Sequence, residues 1–322
     1  MYMELQLSYL LWLQNIRTIT NNLLTPFFLS ITTFGEHLIL IITCAITYWC
    51  INKKLGTLLF LNCTISLMFN QLLKSIACIY RPWMLEPAIK PIAEALPYAG
   101  GYSFPSGHSA LAVSCWGTIG LWNKDNKRLL IILILLCLSV AFSRNYLGVH
   151  TPQDVIIGLL SSLCILFILN YIFNQYIKEK HGYLLITASI TLISLIIAVY
   201  CYLKSYPVDF DQAGQILISP DKSKWSGITK LGLVLGSCWG IYLENRFIKF
   251  DIKSYTSREK ILKGIYGTLS LILILLTKPL WKQYCSPQTT EICLTLLISF
   301  YITFIYPYFY EKHLEKQKNT PA

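Results

Sequence analysis

Three short segments of the chain combine cations, histidines and a carboxylate in an otherwise apolar sequence. They are residues 74–82, 104–109 and 143–154. Lys and Arg side chains and the backbone N–H groups at a helix start bind anions, and a histidine can attack phosphorus or transfer a proton. Together the three segments therefore predict a site for chemistry on a phosphate group.

The first segment carries two cations at helical spacing. Lys74 and Arg81 are seven residues apart and share one helix face, and Pro82 indicates where the helix ends. Two cations at the end of a membrane helix are also typical of side chains that reach toward the lipid head groups and anchor the helix. The pair alone leaves both interpretations open.

The second segment, Phe104-Pro105-Ser106-Gly107-His108-Ser109, reads as a helix start. Ser106 is a candidate N-cap, and the glycine after it leaves backbone N–H groups exposed to an anion. His108 then lies in the first helical turn as a proton donor. Taken alone, the segment is equally typical of an ordinary capped helix.

The third segment leads into another helix. Thr151 is a candidate N-cap, and Asp154, three residues later, completes a variant of the capping box. His150 lies four residues before Asp154, so the carboxylate can also accept from one imidazole nitrogen and leave the other free. Asp154 is thus predicted either to cap its helix or to orient His150.

Phosphoryl transfer needs neutralised phosphate oxygens, a nucleophile in line with the leaving group, and an acid. We expect His150 to be the nucleophile, oriented by Asp154, and His108 to be the acid. The expected phosphate-binding residues are Lys74, Arg81, Ser106, Gly107 and Arg144.

The composition places these segments in a membrane protein. The chain has 322 residues, of which 54% are hydrophobic and 13% are charged, whereas soluble domains carry about 25% charged residues. This excludes an ordinary soluble enzyme, a disordered chain and a coiled coil. We attribute the net charge of +11 to Lys and Arg flanking the spans and expect no nucleic-acid partner.

The apolar runs predict an all-α bundle of about nine transmembrane spans in a single domain. The predicted spans are residues 27–50, 56–79, 106–122, 128–142, 153–173, 183–203, 226–243, 261–277 and 290–310. We expect residues 1–25 to form an interfacial helix that lies along the membrane.

The loop charges predict the orientation of the bundle. Sixteen of the 27 basic residues fall in one set of connections, which we expect to face the cytoplasm. That set is residues 52–54, 123–128, 174–180, 244–263 and 311–318, the last within the tail of residues 311–322. The alternate connections are residues 80–105, 143–152, 204–225 and 278–289, and all three segments lie at the ends of predicted spans on this side. We therefore expect the site outside, in the periplasm or exterior, and the C-terminus inside.

The three segments resemble the three-part signature of the type 2 phosphatidic acid phosphatase superfamily. The matching run is Lys74-x6-Arg81-Pro82, then Pro105-Ser106-Gly107-His108, then Ser143-Arg144-x5-His150-x3-Asp154. The resemblance covers residues 56–173 and is similar in layout to multispanning bacterial members and to sphingosine-1-phosphate phosphatases. It leaves residues 183–310 as additional C-terminal spans.

The resemblance implies a six-helix phosphatase core that needs neither metal nor cofactor and acts on a lipid phosphate. It also implies a phosphohistidine on His150, with His108 protonating the leaving group and later activating water. Substrate candidates are polyprenyl pyrophosphates, phosphatidic acid, phosphatidylglycerophosphate and sphingoid phosphates. The oligomeric state stays open.

Two other functions are compatible with the same residues. A carrier of a phosphorylated lipid or anion also needs intramembrane cations, although it needs no pair of histidines with a positioned carboxylate. Phosphotransfer to an alcohol instead of water needs the same site and an acceptor pocket. Glu36 either lies near the substrate route or is a carboxyl near the interface, and the 204–225 loop is a candidate cap over the site.

Overall fold

The computed structural model describes residues 2–179, 181–211 and 213–319. The predicted interfacial helix includes Met1, the predicted 174–180 and 204–225 connections include Lys180 and Gln212, and the predicted tail ends with residues 320–322. These residues lie outside the described ones.

Fifteen α-helices lie within the described ranges. They are α1 (Tyr2–Ile19), α2 (Thr25–Thr32), α3 (His37–Ile46), α4 (Lys53–Ala77), α5 (Pro82–Leu85), α6 (Gly107–Ala112), α7 (Thr118–Trp122), α8 (Lys127–Tyr146), α9 (Pro152–Tyr176), α10 (Gly182–Leu203), α11 (Pro220–Leu243), α12 (Ser257–Leu276), α13 (Lys278–Tyr284), α14 (Pro287–Phe300) and α15 (Tyr306–Asn319).

Short turns of other helix types join several of these elements. Turns of 3-10 helix occupy Thr33–Gly35, Ala93–Tyr98 and Ile252–Ser254, and π-helical turns occupy Thr47–Ile51, Val113–Gly117, Glu244–Ile248 and Tyr301–Ile305. Among the described residues, strand pairing is limited to one isolated bridge between Phe210 and Ile216. The predicted all-α class is confirmed.

The count of nine spans is not confirmed. Within the described part of the chain, six helical segments are long and apolar enough to cross a membrane, and a bent pair raises the number to seven. The six are Lys53–Leu85, Lys127–Tyr146, Pro152–Tyr176, Gly182–Leu203, Ser257–Tyr284 and Pro287–Lys316.

The two remaining predicted spans are helical but differ from a standard span. Residues 107–122 form 16 residues of helix interrupted by a π-helical turn, which is shorter than the roughly 20 residues that a bilayer requires. Helix α11 is long enough, but it packs mainly against α14, α10 and α4. A helix enclosed by other helices can hold polar residues such as Lys230 that lipid would exclude.

The predicted first span, residues 27–50, is broken in the middle. Thr25–Gly35 and His37–Ile51 meet at an angle of 48°, and Glu36 between them has an extended backbone. The indole of Trp116 donates to the Phe34 carbonyl over 2.7 Å, which satisfies a backbone group that the break releases. At Gly35, a Cβ atom would lie 3.0 Å from the His108 carbonyl oxygen, so the break lets the backbone approach α6 closely.

Small residues let α11 pack closely against α14. Gly232, Gly236 and Gly240 recur every four residues along one face of α11. A Cβ atom at Gly236 would lie 2.5 Å from the Leu296 carbonyl oxygen of α14. Such stripes allow membrane helices to approach at backbone distance, and this one fixes the position of α11 in the bundle.

Replacing Gly236 with Ala should lower the free energy of unfolding by about 1–3 kcal/mol, because the added methyl forces two helix backbones apart. The matched control is Gly264→Ala in α12, where the nearest atom to a Cβ is Cys50 Sγ at an ordinary 3.4 Å. Thermal unfolding in detergent measures both changes. An equal melting temperature for the two variants would contradict the close packing of α11 and α14.

Candidate active site

The ends of several helices converge on one cavity of about 560 Å³. The cavity is lined by Lys74 near the end of α4, Arg81 just beyond it, His108 in the first turn of α6, and His150 just before α9. Residues 222–230 of α11 contribute a further wall. All three predicted segments therefore meet at one end of the bundle.

The turn between α8 and α9 places His150. Gly148 has a φ of +76°, a conformation that favours glycine. The chain then folds back, so that the N–H groups of Val149 and His150 both donate to the Arg144 carbonyl, over 3.1 and 3.3 Å. The Asn145 side-chain amide donates to the His150 carbonyl over 2.9 Å. The backbone of His150 is thus fixed before its side chain makes any contact.

Both nitrogens of the His150 ring face groups of defined character. Arg81 Nη1 lies 2.9 Å from Nε2, and Asp154 Oδ2 lies 3.2 Å from Nδ1. A guanidinium only donates and a carboxylate only accepts, so these neighbours favour the tautomer with the proton on Nδ1 and a lone pair on Nε2. We call Arg81, His150 and Asp154 the histidine clamp.

Asp154 makes both contacts that the sequence had offered as alternatives. The capping box with Thr151 is present, and Asp154 Oδ2 accepts from the Thr151 N–H over 2.9 Å. The same oxygen accepts from Ser103 Oγ over 2.5 Å and faces His150 Nδ1. Helix capping therefore also holds the carboxylate beside the imidazole.

Arg81 joins two backbone segments that are distant in sequence. Its Nε donates to the Gly101 carbonyl over 3.0 Å, its Nη2 to Gly100 over 3.0 Å, and its Nη1 to Val149 over 2.9 Å. The residue is 3% exposed. Arg81 therefore holds the loop before the second segment against the loop that carries His150.

Lys74 donates to backbone carbonyls rather than projecting freely into the cavity. Its ammonium group donates to Tyr102 over 2.8 Å, to Ser103 over 3.2 Å and to Pro105 over 2.8 Å. An ammonium group has three donors, and all three are used. Lys74 lines the cavity, so it contributes charge there while it holds the 102–105 loop in place.

Arg144, in contrast to Lys74, has side-chain N–H donors that make no hydrogen bond to the described residues. Its side chain is fully buried, and Nη1 donates to Thr32 Oγ1 over 2.6 Å. Its Nε and Nη2 atoms have no hydrogen-bond partner among the described residues. Because unpaired buried donors are costly, these atoms are suited to receive the oxygens of an anion.

The second segment begins α6 as its sequence indicates. Ser106 Oγ accepts from the Ser109 N–H over 3.4 Å and from Ser109 Oγ over 2.9 Å. Gly107 and His108 line the cavity, whereas Ser106 is fully buried behind them. Nε2 of His108 has no hydrogen-bond partner among the described residues, which leaves it available to a ligand.

The structure adds site residues that the motifs did not indicate. Ser103 bonds to Asp154 and lies 3.4 Å from His150 Nδ1, but nothing in the sequence marks it out. Lys222, Ser226 and Lys230 line the cavity from α11. The spacing of four residues between these side chains could have indicated a shared role in the sequence, since it places them on one helix face.

Glu36 and the 204–225 connection, whose positions the sequence left open, both reach the cavity wall. Glu36 and His37, at the break in the first span, both line the cavity, so Glu36 lies beside the candidate site. From the predicted 204–225 connection, Lys222 and Ser223 reach the same cavity.

Among the described residues, no cluster of three or more His, Cys, Asp or Glu could hold a metal ion.

The surroundings of His150 favour its neutral form. His150 lies between α8 and α9, outside both spans, and is 2% exposed. Burial lowers the pKa of its imidazole well below the usual range, and the positive charges of Arg81, Lys74 and Arg144 lower that pKa further. A neutral imidazole with a free lone pair is the form that can act as a nucleophile.

Comparison with known proteins confirms the resemblance that the motifs indicated. Residues 55–178 match the family model of the PAP2 superfamily. This stretch contains the three segments and most of the cavity. No solved structure matches the chain at a significant level of similarity.

Three curated relatives are similar to parts of the chain. An undecaprenyl-diphosphatase of Sulfolobus acidocaldarius is 34% identical over 36% of this chain and 54% of its own length. A probable sphingosine-1-phosphate phosphatase of Dictyostelium discoideum is 26% identical over 51% and 42% of the two chains. Phosphatidylglycerophosphatase B of Bacillus subtilis is 31% identical over 28% and 48%. The chain thus spans about half the length of the curated relatives it matches.

The lowered pKa of His150 predicts a loss of stability in acid. Between the folded-state pKa and the unfolded value of about 6.5, only the unfolded chain binds the proton. Stability should therefore fall as the pH drops below about 6.5, by at most about 1.4 kcal/mol per pH unit from this residue.

Thermal unfolding from pH 8 to pH 5 measures this effect, with His150→Gln as the comparison. The free energy of unfolding of wild type minus that of His150→Gln should decrease as the pH falls. A difference that is constant over this range would show that His150 titrates normally.

Proposed function

We propose that this chain, whose residues 55–178 match the PAP2 superfamily, is an integral-membrane lipid phosphatase. It would hydrolyse a phosphomonoester or pyrophosphate of a lipid at the non-cytoplasmic face without a metal ion. The observation that carries the proposal is the histidine clamp, in which a buried imidazole is held between a guanidinium and a carboxylate at the wall of a cavity.

In the proposed first step, Nε2 of His150 attacks phosphorus and forms a P–N bond. The bond between phosphorus and the lipid oxygen breaks, and that oxygen takes a proton from His108. Arg81 Nη1, which lies 2.9 Å from Nε2, turns its hydrogen to a phosphate oxygen. Asp154 stabilises the positive charge that develops on the ring.

In the second step, a water molecule attacks the phosphohistidine. His108, now neutral, accepts a proton from that water, the P–N bond breaks, and inorganic phosphate leaves. The unpartnered Nε and Nη2 of Arg144 and the N–H of Gly107 would bind the phosphate oxygens through both steps. Ser106 supports this role by capping the helix start, and Lys74 by adding positive charge.

The proposed orientation rests on the convergence of the site and on the loop charges. The site gathers the end of α4, the start of α6, the end of α8 and the start of α9, which are all at one end of the bundle. The connections rich in Lys and Arg lie between the opposite ends of these helices, where cytoplasmic loops are expected. The lipid head group would enter the cavity while its tail stays in the bilayer.

Replacing either histidine should abolish hydrolysis. His150→Ala and His108→Ala should each lower the release of inorganic phosphate from a lipid phosphate by at least about 10³-fold, because the nucleophile or the acid is lost. A colorimetric phosphate assay on purified protein with EDTA present measures this. The control, His181→Ala, should keep wild-type activity.

Two results would contradict this proposal. Activity that EDTA abolishes would contradict a metal-independent reaction. Binding of lipid phosphate that persists in wild type without any phosphate release would instead indicate the carrier function.

Asp154→Asn isolates the negative charge of the carboxylate. An asparagine whose carbonyl oxygen replaces Oδ2 can still accept from the Thr151 N–H and from Nδ1–H of His150, but it carries no negative charge to stabilise a charged ring. We expect kcat to fall about 10²–10⁴-fold with KM changed by less than about threefold. Steady-state kinetics separates the two constants, and a change in KM alone would assign Asp154 to binding.

A further inference from the structure

Helix α11 presents a polar stripe to the active-site cavity. Lys222, Ser226 and Lys230 follow one another at intervals of four residues, which places them on one helix face, and all three line the cavity. Lys224, on the same helix, does not line it. We call Lys222, Ser226 and Lys230 the α11 stripe.

The α11 stripe does not belong to the residues that define the family match. The match ends at residue 178, whereas the stripe begins more than forty residues later. The cavity is therefore completed by a helix from the C-terminal part of the chain, which the three motif segments do not specify.

The position of the stripe is fixed on both sides of α11. Ser226 Oγ donates to Gln71 Oε1 of α4 over 2.7 Å. A Cβ at Gly227 would lie 2.7 Å from Cys201 Cβ, so α11 and α10 also approach closely. The stripe is thus held against the helix that carries Lys74.

The stripe carries the cavity's unused lysine donors. Among the described residues that line the cavity, four are cationic, Lys74, Arg81, Lys222 and Lys230, and one is a carboxylate, Glu36. Lys74 and Arg81 use their donors on backbone carbonyls and on His150. Lys222 and Lys230 donate no hydrogen bond to another described residue.

We propose that the α11 stripe is a second anion subsite, which binds the lipid-linked phosphate of a diphosphate substrate while the terminal phosphate lies at His150. The proposal rests on the proposed function and names its substrate class as a lipid diphosphate. Hydrolysis breaks the bond between the terminal phosphorus and the bridging oxygen. The lipid monophosphate leaves with the proton from His108, and water then releases inorganic phosphate from His150.

Charge is the reason for preferring a diphosphate. In the proposed mechanism Arg144 and the N–H of Gly107 bind the phosphate group at His150, so a monoester would place no anion beside Lys222 and Lys230 in the cavity. A diphosphate adds at least one further negative charge, and charge-assisted hydrogen bonds from Lys222 and Lys230 can bind it. The same lysines would stabilise the charge that develops on the leaving monophosphate.

The test compares two substrates that share one tail, a prenyl diphosphate and the corresponding prenyl monophosphate, in detergent micelles. Lys222→Gln/Lys230→Gln should lower kcat/KM for the diphosphate about 10- to 100-fold, the loss expected for charge-assisted hydrogen bonds. Its kcat/KM for the monophosphate should change less than about threefold. The matched control, Lys224→Gln, should change neither value by more than about twofold.

A binding measurement keeps the inference separate from turnover. His150→Ala should bind inorganic pyrophosphate about tenfold more tightly than inorganic phosphate by titration calorimetry, and adding Lys222→Gln/Lys230→Gln should remove this preference. Lys222→Arg/Lys230→Arg, which keeps both charges, should retain it and serves as the folded comparison if the Gln variant melts early.

The outcomes distinguish this inference from the proposed function. Wild type that hydrolyses neither substrate would overturn the phosphatase itself. Wild type that hydrolyses both, with the double Gln variant lowering both equally or neither, would overturn the second subsite and leave the phosphatase intact. Equal affinity of His150→Ala for phosphate and pyrophosphate would overturn the subsite as well.

Discussion

The rest of the site depends on one buried interaction, the contact of the His150 ring with Arg81 on one side and Asp154 on the other. Both charged residues are at most 3% exposed, and a buried charge is strongly destabilising when its partner is removed. Arg81 follows α4, and Asp154 lies in the first turn of α9. The two charges can both contact His150 only when the C-terminal end of α4 lies beside the N-terminal end of α9. The packing of α4 beside α9 and the tautomer of His150 therefore depend on the same contact.

The neighbouring cations Lys74 and Arg81 support this contact by donating hydrogen bonds to backbone carbonyls. Lys74 and Arg81 together hold five backbone carbonyls of residues 100–105 and Val149 in addition. Arg144 and His108, by contrast, have buried side-chain nitrogens without a hydrogen-bond partner among the described residues. Among the motif cations, Lys74 and Arg81 thus shape the cavity, whereas Arg144 has donors available to bind an anion.

Much of this arrangement could be predicted from the sequence, because the motifs lie at helix ends that local signals mark well. The capping box of Thr151 and the cap at Ser106 are local, and both are present. The carbonyl partners of Lys74 and the role of Ser103 could not be predicted, since they depend on contacts between segments distant in sequence. The break at Glu36 and the enclosure of α11 were missed for a related reason: hydropathy measures apolar length, whereas neighbouring helices decide which backbone and which lysines can be buried.

The most direct test of the account is to identify the covalent intermediate. Protein mixed with a lipid phosphate that carries a radioactive terminal phosphate, then quenched in alkali within milliseconds, should carry label that is stable in base and labile in acid. Peptide mapping should place that label on His150, and His150→Ala should carry none. Label on another residue, or full wild-type turnover with no labelled protein at any quench time, would contradict the claim that His150 captures phosphorus.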